Sequence, residues 1–406
     1  MLEGRSWRDF VAVTASVAVL GIGVGSTLPL TALVLTARGF GPEVVGWMVA
    51  AVAAGGVIGT LASPSATLRF GRSRVMLGCV AVAGSSVIAL QYAETLWQWA
   101  ILRAFFGVSM APLFVLGEAW INTLSGDAVR GRVVAIYTTS FTLCQLTGPV
   151  LTAALAAVPH SAFLVCGAIF FLGLPGIALA QDAPRSAAGV GAAAGVAAAV
   201  AVAVGQSVRE PSPKNASASW LTIIRTAPAL VVGAGLFAAF DNITLSFLPL
   251  FALDRGLSRS RALAAVVIVF AGDALLQFAA GYLADRFGRA HVHRLAGFAL
   301  CVLLPLLPLV VALPGVWEVY LFVLGGVAGS IYTLSMVSSG ERFSGAALLR
   351  ASGLIALTWN LASSVGPAAT GILMQQAGSG AMTAVLWIMA VGFVVATYAE
   401  AKASAR

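Results

Sequence analysis

The chain has 406 residues, 60% of them hydrophobic and only 9% charged, with a net charge of +8 and a mean hydropathy of +0.97. A soluble domain carries about 25% charged residues, so this composition excludes soluble enzymes, disulfide scaffolds and nucleic-acid modules. A lipid bilayer is the solvent that fits.

A run of about 20 apolar residues crosses the hydrocarbon core. In chain order, such runs lie near 10–37, 44–66, 75–93, 96–122, 133–157, 161–181, 226–252, 262–283, 295–313, 316–339, 351–375 and 381–400. The expected fold is therefore an all-α integral membrane protein with twelve transmembrane helices. The first run follows a charged start (Glu3, Arg5, Arg8, Asp9) and is too long for a cleaved leader, so it should remain as a helix. A thirteenth candidate, 187–205, holds only Ala, Gly and Val, and inserts marginally. Charge decides against it. With twelve spans and both termini cytoplasmic, 18 of the 23 Lys and Arg residues fall on the inner side. Four fall outside (Arg38, Arg255, Arg259, Arg261), and Arg103 is within a span. A thirteenth span would turn the basic loop 284–294 outward, against the positive-inside rule. The organisation expected is a six-helix half over 1–181, a cytoplasmic linker over 182–219 with an Ala-rich, surface-lying helix, and a second half over 220–406, in the bacterial inner membrane. Trp97, Trp99 and Trp317 stand by outer turns, as interfacial anchors do. Cys79, Cys144, Cys166 and Cys301 sit singly in apolar runs, as small buried hydrophobes. His291 and His293 are placed in a basic loop and His160 in a turn, which makes no metal site.

Landmarks recur at a nearly fixed offset. Arg38-Gly39 returns as Arg255-Gly256 and Arg69-Phe70-Gly71-Arg72 as Arg286-Phe287-Gly288-Arg289, both 217 residues on. Arg132 returns as Arg350 and Gly148-Pro149 as Gly366-Pro367, both at 218, and Leu28-Pro29-Leu30 as Leu248-Pro249-Leu250 at 220. Six spans per copy make two parallel, pseudo-symmetric six-helix bundles, with a substrate path expected near midplane.

These residues resemble the major facilitator superfamily. Gly281-Tyr-Leu-Ala-Asp285-Arg286-Phe287-Gly288-Arg289 is similar to its signature loop between spans 8 and 9. The copy between spans 2 and 3 departs from that pattern, with Pro64 for the usual Gly and Leu68 for the usual Asp. Arg103-x-x-x-Gly107 resembles the Arg motif of span 4, and Gly148-Pro149 resembles the exporter-type motif of span 5 without its flanking glycines. Gly117-Glu118-Ala-Trp120-Ile-Asn122 and the run from Tyr332 to Ala346 resemble the YcaD-like bacterial transporters. The resemblance implies alternating access in the inner membrane, driven by an ion gradient, usually of protons, with no cofactor and no catalytic residues.

A charge at the bilayer centre costs roughly 2.5–3.5 kcal/mol on insertion scales. Four lie within spans: Arg103, Glu118, Asp241 and Asp273. Coupling needs an acid that gains and loses a proton. Asp241 is the first candidate, with Asn242 beside it and Pro249 two turns on, where a half-broken helix would expose backbone polar groups. The alternative is a packing hydrogen bond from a Ser or Thr to Asp241. Asp273 and Gln277 share a face of span 8, and serve either the cavity or a polar helix contact. Arg103 is expected to pair with a carboxylate or an anionic substrate, in a coupling or structural role. At the inner ends, Arg69, Arg72, Glu118, Arg130 and Arg132 form one expected charge cluster, and Asp285, Arg286, Arg289, Glu341 and Arg342 (with Arg350) a second. Such clusters would hold the inner side shut. Ser26, Thr27, Gln145, Tyr332, Trp359 and Asn360 are expected, with Asn242 and Gln277, to line the pathway. An aromatic beside an amide suits a partly apolar ligand.

The reading that follows is a proton-coupled secondary transporter, a monomer, for a small organic solute, with export favoured over uptake. An importer of a sugar, amino acid or organic acid is the second reading. A non-transporting receptor or assembly partner is the third, supported by the altered first signature loop and opposed by the retained intramembrane charges. No G-x-x-x-x-G-K-[ST] exists for an ATP-driven pump.

Overall fold

The computed structural model describes residues 4–124, 130–155, 161–180, 220–343 and 345–404. The 182–219 linker and His160 lie outside them. The described residues form helices and no strand. They are α1 (Gly4–Ala37), α2 (Pro42–Phe70), α3 (Arg72–Ala89), α4 (Leu96–Leu124), α5 (Arg130–Leu155), α6 (Ala162–Phe171), α7 (Leu174–Leu179), α8 (Trp220–Thr226), α9 (Pro228–Asp254), α10 (Arg259–Phe287), α11 (Arg289–Val310), α12 (Val316–Arg342), α13 (Gly345–Ala377) and α14 (Ala381–Ser404). Among the described residues ten helical segments are long and apolar enough to cross a membrane, α6 and α7 together counting as one. The 26-residue α5 and the 33-residue α13 complete twelve spans. Pro249 does not break its helix as expected: α9 runs through it without interruption. A proline in a membrane helix is tolerated where neighbouring helices shield the freed carbonyl, and the stretch around Pro249 is buried.

The repeat is written into the backbone. Gly39 and Gly256 take φ of 85° and 83°, and Gly71 and Gly288 take 88° and 87°. The first pair ends α1 and α9 with the same cap. Phe40 N donates to Leu35 O at 3.0 Å and Leu257 N to Ala252 O at 3.0 Å. A left-handed residue just past a helix satisfies its last carbonyls, and glycine adopts that conformation without a Cβ penalty. At the second pair, Gly71 N donates to Thr67 O and Gly288 N to Ala284 O.

Contacts divide the described residues into two units, one within Met1–Val34 and Trp47–Ala197, the other within Leu35–Gly46 and Ala198–Arg406. Each is stitched by a glycine crossing. In the first, a Cβ on Gly55 of α2 would collide with Ala104 O of α4, and one on Gly107 with Val52 O. In the second, a Cβ on Gly272 of α10 would collide with Phe322 O of α12, and one on Gly325 with Val269 O. Small residues let two backbones meet, which is how membrane helices pack without a hydrophobic driving force.

Four tryptophan and histidine placements differ from expectation. Trp97 is exposed, but Trp99 and Trp317 are core residues, each 1% exposed. Trp99 donates from Nε1 to Ala93 O at 3.0 Å and meets Phe163 edge-on, so its polar tip is satisfied inside the protein and gains nothing from the interface. His291 and His293 belong to α11, not to a loop. His293 is buried, with Nε2 3.1 Å from Ile331 O, and it meets Phe393 edge-on. The four cysteines are free thiols; Cys166 is buried and the others are half-buried.

Candidate functional site

The second unit contains a polar opening in an otherwise closed helix. From Gly233 to Ala252 every residue of α9 is buried except Asp241 and Asn242. Both fall midway along the 27-residue helix. Burying an ionisable side chain fully would need a partner for each lone pair, and the structure instead leaves this pair accessible. Asn242 is anchored: its Nδ2 donates to Ala238 O at 3.0 Å and to Ser363 Oγ of α13 at 3.2 Å. Among the described residues, the hydrogen bond that reaches the Asp241 carboxylate is a long one, 3.5 Å from Asn242 Nδ2. The Ser or Thr expected as an alternative partner of Asp241 is present, but it bonds the amide.

One helical turn inward lies an aromatic layer. Phe237, four residues before Asp241, stacks on Tyr332 of α12 with centroids 5.3 Å apart, and Trp359 of α13 lies 5.9 Å from Phe237 and 5.0 Å from Tyr332. Trp359 precedes Ser363 by the same four residues, so α9 and α13 present aromatic and polar side chains in the same order. Tyr332 and Trp359 are half-buried, as is Asn360, whose amide returns to Ala356 O of its own helix. Of the expected pathway residues, Asn242, Tyr332 and Trp359 are thus brought together.

Asp273 sits on the α10–α12 crossing, also at mid-helix. Gln277 Nε2 donates to its Oδ1 at 2.7 Å. A Cβ on Gly329 of α12 would occupy the place of that oxygen, so the glycine makes room for the acid. Asp273 is buried. Two carboxylates thus sit at mid-helix within one unit: Asp241 accessible, Asp273 held by an amide.

A model of the Major Facilitator Superfamily matches residues 13–272 and 230–401. The chain belongs to this superfamily. It is similar to the uncharacterized MFS-type transporter YfkF of Bacillus subtilis, 23% identical over 90% of this chain and 88% of the relative. It is also similar to the uncharacterized MFS-type transporter YcaD of Escherichia fergusonii, 23% identical over 82% and 80%. Among solved structures it resembles a D-xylose–proton symporter (TM-score 0.73, 16% identity, 97% of this chain and 98% of that one). It likewise resembles the nucleoside transporter NupG (TM-score 0.71, 13% identity, 97% and 99%). At these identities the structural likeness concerns the fold.

The superfamily residues of the first unit are placed as follows. Arg103 is fully buried, and its three guanidinium nitrogens have no hydrogen-bond partner among the described residues. The guanidinium carbon lies 5.3 Å from the Phe106 ring centroid. Among the described residues no carboxylate pairs with Arg103. Ser26 and Thr27 are also fully buried; each hydroxyl turns back onto its own helix, to Gly23 O and Val24 O. Ser26 lies on the α1–α5 seam, where Thr152 donates to Ser26 O at 3.1 Å and a Cβ on Gly148 would collide with Gly25. Both residues therefore contribute packing, not open surface. Gln145 is half-buried on the same seam, where its backbone leaves no room for a Cβ on Gly25.

Where α10 meets α11, the signature-loop residues Asp285 and Arg289 pair at 3.3 Å, one helical turn apart and solvent-exposed. Arg286 and Arg69 are exposed beside Phe287 and Phe70, and Arg72 lies 4.1 Å over the Trp120 ring. Helix positions at Glu118, Arg130, Arg132 and Glu341 are described, but their side chains lie outside the described residues. Arg342 does not join the loop cluster. It forms an ion pair with Glu400 of α14, whose other oxygen accepts from Ala229 N at 3.1 Å. Helix α9 begins after Ala227, which has no side-chain acceptor to cap it, and Glu400 supplies that acceptor from another helix. The sequence reading missed Glu400, Ser363 and Phe237. Helical spacing from Asp241 signals Phe237; no local signal marks the other two.

Proposed function

We propose that this superfamily member is a secondary transporter that moves a small, partly apolar organic solute by alternating access, coupled to protons through Asp241. The observation that carries this reading is the layered site of α9, α12 and α13. There an accessible mid-membrane carboxylate with one long hydrogen bond stands one turn from three aromatic rings. A carboxyl group in that setting exchanges its proton with the cavity more readily than one locked by donors. Aromatic faces bind the apolar part of a ligand while Asn242 and Asn360 orient its polar groups. Arg103 remains a candidate for pairing with an acid in another state of the cycle, since a buried guanidinium without an acceptor is costly. Export is the proposed direction, supported by the close fit of Gly148 against Gly25 at the exporter-like motif of α5. The proposed setting is the inner membrane, with both termini cytoplasmic, where the bias of Lys and Arg is satisfied. The protein acts there as a monomer built of two six-helix halves joined by the 182–219 linker.

The test is proton flux into liposomes holding the purified protein and a pH-sensitive dye, challenged with amphipathic drugs, sugars, amino acids and organic acids. Wild type is expected to move protons with at least one class, and Asp241→Asn to abolish that flux while retaining solute binding. Solute transport without proton movement, equal in both proteins, would remove Asp241 from the coupling role.

A further inference from the structure

A second polar site lies in the same unit, at the inner ends of α9, α11, α12 and α14. It is a cavity of about 150 Å³. Its walls include His293 and Arg294 of α11, Ser338 and Arg342 of α12, and Thr397 and Glu400 of α14. At about 30 Å³ per water-sized group, it holds about five heavy atoms. Exposed Ala290 and Ala401 stand at its mouth.

The donors and acceptors decide what fits. Both Glu400 oxygens are engaged, one by Arg342 and one by Ala229 N, so the acid is not offered to a cation. Thr397 spends its hydroxyl proton on Val394 O at 2.7 Å, and His293 Nε2 lies 3.1 Å from Ile331 O and 3.2 Å from Ser335 Oγ. Donors remain on the other walls. Arg294 Nε is buried with no hydrogen-bond partner among the described residues, and Ser338 makes no hydrogen bond among them. The Arg294 guanidinium is held 4.6 Å over the Tyr398 ring, which fixes its position without using its N–H groups. Counting the histidine as neutral, two arginines against one glutamate leave the walls with one positive charge. Charge-assisted N–H donors at a site of this size select a compact oxyanion. Donors arriving from different helices suit a tetrahedral anion better than a planar one.

We propose that this cavity binds a phosphate group, either free inorganic phosphate or the headgroup phosphate of an anionic phospholipid. The site is separate from the layered site at midplane and stands whether or not Asp241 couples protons. Occupancy would tie α11 to α12 and α14 beside the Glu400 cap of α9.

The experiment uses the full-length protein in maltoside micelles. Thermal unfolding is followed with added inorganic phosphate at constant ionic strength set by chloride, and separately with phosphatidylglycerol against phosphate-free diacylglycerol. A saturable rise in the unfolding midpoint is expected for at least one phosphate source. Arg294→Gln should weaken the apparent affinity on the order of tenfold, as loss of a charged hydrogen bond does. Ala290→Phe, which blocks the mouth without removing a charge, should do the same. Arg259→Gln, at the far end of the bundle, should leave it unchanged. A response to phosphate alone assigns the free anion, and a response to phosphatidylglycerol alone assigns the headgroup. No stabilisation beyond the chloride and diacylglycerol controls, or equal stabilisation in wild type, Arg294→Gln and Ala290→Phe, overturns the proposal.

Discussion

Glu400 is the residue whose removal should be felt most widely in the second unit, because one carboxylate serves two partners. Its Oε2 accepts from Ala229 N at the start of α9, and its Oε1 pairs with Arg342. A backbone N–H bonded to a charged acceptor is worth about 1.5–3 kcal/mol, in line with about 0.5–2 kcal/mol for lost helix caps. The ion pair is discounted. The Arg342 side chain is 37% exposed and the Glu400 side chain 10%, so solvent screening brings the pair towards about 0.5–1 kcal/mol. The freed guanidinium reaches water, so the full penalty of a buried unpaired charge does not apply. Glu400→Ala should therefore cost about 2–4 kcal/mol. Glu400→Gln keeps an oxygen for Ala229 N and should cost about half as much. Reversible unfolding in mixed detergent micelles, read by tryptophan fluorescence, measures both, and a double-mutant cycle with Arg342→Met isolates the pair at about 1 kcal/mol or less. A cost below about 0.5 kcal/mol for Glu400→Ala, or equal costs for the Ala and Gln variants, would refute the cap as the dominant contribution.

Four further substitutions test other parts of the fold by the same unfolding measurement. Gly325→Ala and Gly107→Ala each drive a methyl into the backbone of a neighbouring helix, at Val269 O and Val52 O, and each should cost about 1–3 kcal/mol; a neutral result at either would show that the crossing is loose. Gly256→Ala meets no atom within 4 Å but must hold φ of 83°, so its cost, about 1–2 kcal/mol, should be purely conformational. Trp99→Phe keeps the ring contact with Phe163 and loses the 3.0 Å bond to Ala93 O, which predicts a loss of about 1 kcal/mol without loss of membrane insertion.

What was legible in the sequence is what depends on local backbone and on composition. The 217-residue offset predicted equivalent turns, and the structure has them at Gly39 and Gly256 with the same 3.0 Å capping bond, because a left-handed glycine is a local requirement. Asp241, Tyr332 and Trp359 could be chosen as site residues because polar and aromatic side chains are rare enough in these spans to need a reason. Partner choice was not legible. Arg342 stands next to signature-loop charges in the sequence reading, yet its acid is 58 residues away on another helix, and only packing selects among acids that are all chemically suitable. Trp99 and Trp317 were misread from their position near outer turns. The repeat carried the correcting signal: they stand 218 residues apart, and each backbone N–H closes the same turn, to Thr95 O and Leu313 O. A lipid anchor has no need to recur at an equivalent position, whereas a core residue at a repeated crossing does.

The layered site and the glycine crossing constrain one another. Asp273 occupies space that exists only because residue 329 lacks a Cβ, and Gly272 and Gly325 bring the same two helices into backbone contact nearby. Helices in such contact cannot slide by a fraction of a turn without collision, since packed interfaces hold discrete arrangements. The Asp273 carboxylate is therefore fixed in place as long as the bundle keeps its packing. If Asp241 couples protons as proposed, its protonation is set by what enters beside it: water, a solute against Phe237, Tyr332 and Trp359, or a cation. On the proposed function, enlarging Gly329 should alter proton coupling through displacement of Asp273 even where the solute still binds the aromatic layer, and unchanged coupling in a folded Gly329→Ala variant would remove Asp273 from any part in it.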